Sequence, residues 1–232
     1  MRIVHLHLPK TAGTALRHAF QGLTTPKLRI CPARFENQFK NVNFDDFDFF
    51  SGHISFMLAE KIGGDYITVL RDPVDRFLSV YYFWRELHEK GVERSRNTFL
   101  ATNYDLSDFV SFLDEPFLIE EFYNRMTWQI AFSSVMGMRY LLRQEKKLTD
   151  VEVLEMAKEN LSKFRFIGFQ ERYSSLIDKL NSAYEISIPN ARINITKKRE
   201  RPNNLSASLL SQINRWIYLD QELYKYALLK YY

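Results

Sequence analysis

Tyr66-Ile67-Thr68-Val69-Leu70-Arg71-Asp72-Pro73-Val74-Asp75 carries the chain from a strand into a helix, and the fold class follows from it. Residues 66–70 are apolar and β-branched without alternation, the pattern of a central parallel strand covered on both faces. Asp72 stands where an N-cap is wanted, Pro73 takes the first helical position, and Asp75 falls three residues past the cap. The helix runs on through Val80-Tyr81-Tyr82-Phe83-Trp84. Upstream, Arg2-Ile3-Val4-His5-Leu6-His7-Leu8 reads as a second buried strand, followed by Pro9-Lys10-Thr11-Ala12-Gly13-Thr14 and a helix over 13–21. A short aromatic strand is expected at 47–52, ending in Gly52-His53, and another at 164–169, with a helix after it to residue 184. Helical patterns over 105–115, 118–132 and 149–162 and a last amphipathic helix over 205–229 complete the reading. Strands alternating with helices imply α/β: three layers around a central parallel sheet.

Composition narrows the rest. The 232 residues are 46% hydrophobic and 26% charged, which suits one globular domain able to bury its own core. Cys31 is the single cysteine, so no internal disulfide can form and nothing argues for secretion. A net charge of +4 fits an anionic ligand or simply a slightly basic solvated surface, and is too mild to imply nucleic acid. No apolar run reaches the ~18 residues of a membrane span. The sequence opens straight into a strand without a leader-like segment, and a cytoplasmic location is expected. Aromatics make up 15%, most of them core and a few available to line a sugar site.

Two segments carry chemistry. Where the first strand turns into its helix, free backbone N–H groups and the helix dipole favour an anion. Gly13 removes a Cβ from that turn, Thr11 and Thr14 add hydroxyls, and Lys10 adds a charge. The result is a phosphate cradle, although Pro-Lys-Thr-Ala-Gly-Thr also serves as the ordinary start of a helix. It is not the G-x-x-x-x-G-K-[ST] loop of nucleotide hydrolases. In the second segment Arg71 ends a central strand, where open α/β sheets bind ligands, and Ser79 returns to the Asp72 face of the helix after two turns. A guanidinium fork with a hydroxyl suits a phosphate; the alternative is that Arg71 only pairs with Asp72 or Asp75.

Taken in order and spacing, Leu6 through Thr14 and Val69 through Tyr82 resemble the two nucleotide motifs of the PAPS (3′-phosphoadenosine-5′-phosphosulfate) sulfotransferases. The likeness is to the branch that includes heparan sulfate 2-O-sulfotransferase and bacterial carbohydrate sulfotransferases. The resemblance implies a P-loop-kinase-like domain over residues 1–232. It implies that Lys10, Thr11, Ala12, Gly13 and Thr14 hold the 5′-phosphosulfate and that Arg71 and Ser79 hold the 3′-phosphate. Ser51-Gly52-His53-Ile54-Ser55-Phe56 looks like the segment whose histidine is the catalytic base in relatives. Phe166 through Tyr173 is similar to the family's strand-to-helix turn, and Trp216 through Tyr226 to its terminal helix. Asn194-Ile195-Thr196-Lys197-Lys198-Arg199 resembles a late basic loop that closes over the nucleotide, so Thr196, Lys197, Lys198 and Arg199 join the donor set. The basic run also reads as a solvated loop.

The implied reaction is in-line transfer of a sulfuryl group from PAPS to a carbohydrate hydroxyl, leaving PAP. Lys10 would stabilise the leaving oxygen, and a neutral histidine is the natural base near pH 7. His53 is the candidate. His7, beside the cradle but inside an apolar strand, is the rival. No metal is expected, since no carboxylate pair or His/Cys cluster has ligand spacing. Two other readings stay open: a non-catalytic nucleotide- or glycan-binding module on the same fold, and a P-loop kinase, which lacks here its Walker lysine and acidic Mg²⁺ ligand.

Overall fold

The computed structural model describes residues 2–23, 27–132, 148–190 and 200–232. Four strands, β1 (Ile3–Leu6), β2 (Phe49–Gly52), β3 (Asp65–Leu70) and β4 (Phe166–Phe169), form an all-parallel sheet in the order β2-β1-β3-β4. Leu6 is in register with Gly52 on one side and Thr68 on the other, and Leu70 with Phe169. The carboxyl ends of β1, β2 and β3 therefore open side by side, which brings the Pro9–Thr14 turn, His53 and Arg71 to one edge.

Alternation along β1 sends Ile3 to one face and Val4 to the other. On the first face α1 (Gly13–Gln21) and, after β4, α9 (Tyr173–Tyr184) bury Ile3, Phe49, Ile67 and Val69. The opposite face is covered by α2 (Phe56–Ile62), α7 (Arg125–Ala131), α8 (Asp150–Ser162) and the long α10 (Ala207–Tyr231). A helical annex of α3 (Pro73–Glu89), α4 (Arg96–Asn103), α5 (Leu106–Val110) and α6 (Pro116–Phe122) packs around Phe77, Phe109 and Phe122. Among the described residues no helix is long and apolar enough to cross a membrane.

Local rules explain most boundaries. Asp72 Oδ1 accepts the N–H of Asp75 at 2.8 Å, so the expected cap of α3 forms. Thr149 and Glu152 make a reciprocal capping box at α8. Two expectations fail. The 118–132 pattern is two helices, because Asn124 adopts φ 45° between α6 and α7. Its side chain is recruited elsewhere: Asn124 Oδ1 accepts Leu219 N at 2.8 Å and Asp220 N at 3.3 Å, where α10 kinks at Ile217. Trp216 O, freed by that kink, accepts Asn124 N at 2.8 Å. Asp220 in turn caps α7 from outside, accepting Thr127 N and Oγ1 at 2.8 and 2.7 Å. Likewise 105–115 is helical only over Leu106–Val110, the remainder being turns.

Candidate active site

The cradle begins where β1 runs out. Lys10 and Ala12 both take left-handed backbone, at φ 64° and 73°. Thr11, fully buried, donates its hydroxyl to Leu8 O at 2.9 Å, so it braces the turn from within instead of lining its mouth. No side chain caps the N-terminus of α1, whose first turn carries no acidic residue. Gly13 is needed for a reason the sequence did not suggest: a Cβ there would lie 2.0 Å from His7 Cδ2. Its missing side chain makes room for an imidazole. Thr14 sits half-buried in the first turn of α1. Lys10 places its ammonium 3.6 Å over the centroid of Phe83, a residue of α3 to which no motif pointed.

Arg71 is buried at the end of β3. Its Nε and Nη2 donate to Asp75 Oδ2 at 2.8 and 2.7 Å, and its Nη1 donates to Lys10 O at 2.7 Å. Asp75 is thus the partner, Asp72 being occupied as the cap. The third bond makes Arg71 more than half of an ion pair: it staples the β3 end to the cradle. Ser79 is buried on α3. Thr196, Lys197, Lys198 and Arg199 lie outside the described residues.

Three imidazoles stand in a row beside the cradle. His5 and His7 rings are stacked with centroids 5.3 Å apart, and His7 and His53 at 4.3 Å. His53 Nδ1 lies 2.9 Å from His7 O. A carbonyl only accepts, so Nδ1 carries the proton and the neutral ring keeps its lone pair on Nε2. Among the described residues Nε2 has no hydrogen-bond partner. Burial chiefly, with Arg125 adding to it, holds His53 below the ordinary imidazole range; the His7 carbonyl and Glu121 pull the other way. The ring is neutral near pH 7. Gln129, fully buried on α7, donates Nε2 to His7 O at 3.2 Å and Ile54 O at 2.9 Å, clamping both carbonyls that flank the base.

His7 is less suited to proton transfer. It is buried, wedged between Gly13 and His53, and held well below the ordinary range by desolvation and its histidine neighbours. His5, fully buried, lies with Nδ1 2.8 Å from Ser51 Oγ, and burial lowers its pKa to about 3. A consequence for stability follows. Between pH ~6.5 and about 3 the unfolded chain binds a proton at His5 that the folded chain refuses, so stability falls as pH falls through that window. For this group the loss approaches ~1.4 kcal/mol per pH unit. Melting curves from pH 7.5 to 4.5 are expected to fall less steeply for His5→Asn than for the parent; parallel slopes would rule His5 out as the cause.

A profile described as the sulfotransferase family matches residues 1–227, and the chain belongs to that family. It is 28% identical over 177 residues to heparan-sulfate 6-O-sulfotransferase 2 of Gallus gallus, covering 70% of this chain and 43% of that one. With heparan sulfate 2-O-sulfotransferase of Caenorhabditis elegans it shares 26% over 188 residues, 70% of this chain and 52% of the relative. A shorter match, 34% over 76 residues, joins it to human uronyl 2-sulfotransferase, covering 30% of this chain and 19% of that one. The chain spans about half the length, or less, of these curated relatives.

Proposed function

We propose that residues 1–232 form one P-loop-kinase-like sulfotransferase domain that moves a sulfuryl group from PAPS to a carbohydrate hydroxyl. One observation carries the reading. His53, its Nδ1 committed to a carbonyl and its Nε2 without a hydrogen-bond partner among the described residues, stands one stacked ring away from the turn of Lys10 and the uncapped N-terminus of α1. A base and an anion cradle at that separation suit transfer between a bound anion and a hydroxyl.

The residues fit the donor. We assign the uncapped N–H groups of α1, Thr14 and Lys10 to the 5′ side, and Arg71, which follows β3 at the carboxyl edge of the sheet, with Ser79 on α3 to the 3′-phosphate side. Thr11, Ala12 and Gly13 shape the turn, while Thr196, Lys197, Lys198 and Arg199 are proposed to approach from the late basic loop. PAPS supplies the activated sulfuryl group. Lys10 stabilises charge growing on the leaving oxygen, and His53 Nε2 takes the acceptor proton as its oxygen attacks in line. Relatives named for heparan sulfate and uronyl residues support a glycan as acceptor.

PAP is expected to stabilise the protein in preference to ATP–Mg²⁺, because on this reading Arg71 and Ser79 bind a 3′-phosphate that ATP lacks. At a hundredfold excess over the dissociation constant the gain is about 2.7 kcal/mol, visible as a melting shift. Equal shifts with both nucleotides, or a need for Mg²⁺, would favour a kinase instead.

A further inference from the structure

The segment between α1 and β2 matches no motif, yet it supplies the wall on the far side of His53. Phe35 forms an isolated parallel bridge with His53, and His53 N donates to Arg34 O at 2.7 Å. Gly52 permits this approach, since a Cβ there would lie 2.5 Å from Arg34 O. The Phe35 ring centroid stands 5.7 Å from that of His53, and His7 flanks the same imidazole at 4.3 Å. The order is therefore cradle, His7, His53, Phe35. A donor held in the cradle leaves the Phe35 side for the acceptor.

What the wall presents is unusual for a loop. Phe35 is 53% exposed. A single exposed aromatic is ordinary, but the backbone that carries this one is tied down by side chains. Gln38 Oε1 accepts Arg34 N at 2.8 Å and Phe35 N at 3.2 Å, and the Glu36 carboxylate accepts Ser55 N at 3.0 Å and Ser55 Oγ at 2.8 Å. An aromatic with two side-chain torsions on anchored backbone loses little entropy when it is covered. Beside it the exposed Arg34 guanidinium has no acceptor among the described residues, while its charge bears on His53, His7 and Arg17.

We propose that Arg34 and Phe35 are the acceptor subsite: Phe35 stacks on a pyranose ring, and Arg34 pairs with a carboxylate or sulfate ester carried by the acceptor chain. This rests on the reading of His53 as base, because that residue fixes where the reacting hydroxyl must lie. Stacking covers apolar ring faces, and an unengaged guanidinium fork matches either planar carboxylate or sulfate oxygens.

The test is calorimetric titration of the PAP-saturated chain with three hexasaccharides: heparosan, carboxyl-reduced N-sulfated heparosan, and carboxyl-reduced heparosan, which is neutral. The parent is expected to bind at least one charged form about tenfold or more tightly than the neutral one. The better charged arm tells carboxylate from sulfate. Arg34→Ala should erase that preference and Arg34→Lys keep part of it, whereas Phe35→Ala should weaken every arm several-fold. PAP affinity and melting should stay at parental values in all three variants. Absence of any charged preference in the parent, or its survival in Arg34→Ala, overturns the subsite. These titrations need no turnover, so active His53→Ala would sink the base reading separately.

Discussion

His53→Ala is expected to fold, to bind PAP like the parent, and to lose a factor of ~10² to 10⁴ in kcat, the usual effect of removing a general base. The structure sharpens that expectation. The His53 ring is half-buried, so its removal leaves a modest gap, and the backbone bond from His53 N to Arg34 O at 2.7 Å survives. Since burial holds the imidazole below its ordinary range, the acid limb of the parent's kcat profile should turn below pH ~6.5. Gln129 and the His7 carbonyl then define a companion check: 15N spectra of the histidine-labelled protein should show His53 as the Nδ1–H tautomer at neutral pH. A variant that melts lower yet keeps turnover per folded molecule would make His53 a packing residue. A clean catalytic defect in His7→Ala instead would move the base by one ring and leave the reaction unchanged.

The second large effect separates Lys10 from Arg71. Lys10→Ala should lower kcat by ~10² to 10³, the range for deleting one group that meets charge developing in the transition state. Its effect on PAP binding should be small by comparison. Arg71→Ala should do the reverse, weakening PAP by about 10- to 100-fold, since a charge-assisted bond to the unchanging 3′-phosphate contributes equally to ground and transition states. Some stability should go as well, because Arg71 joins Asp75 to Lys10 O. Arg71→Lys retains charge but not the fork, and an intermediate PAP affinity is expected from it. PAP binding at parental strength by folded Arg71→Ala would remove Arg71 from the donor site.

Much of this arrangement could be read from local patterns, and the exceptions share a cause. α1 spans Gly13–Gln21 as its periodicity implied, and Asp72, Pro73 and Asp75 start α3 as their types demand. Such signals live within a few residues. Asn124 breaks the 118–132 pattern because its amide oxygen is wanted by backbone 95 residues away, at Leu219. Nothing near Asn124 in sequence announces that demand. Phe83 under Lys10 and Gln129 at the His7 carbonyl are equally remote partners. Arg71 makes the Asp75 pairing that stood as the alternative to a phosphate role, and a bond to Lys10 O that neither reading named. Gly13 fits its expected place for a different reason, since the neighbour it spares is His7.

The left-handed residues Lys10 and Ala12 have a kinetic consequence. Each non-glycine residue in that region costs ~1 to 2 kcal/mol. Thr11 to Leu8 O and Arg71 to Lys10 O hold the turn in shape with protein groups alone. The expense is met when the chain folds, so the anion proposed to bind here would not wait for a rare loop conformer. Capture at this turn should then follow encounter frequency and long-range attraction, slowing as ionic strength rises.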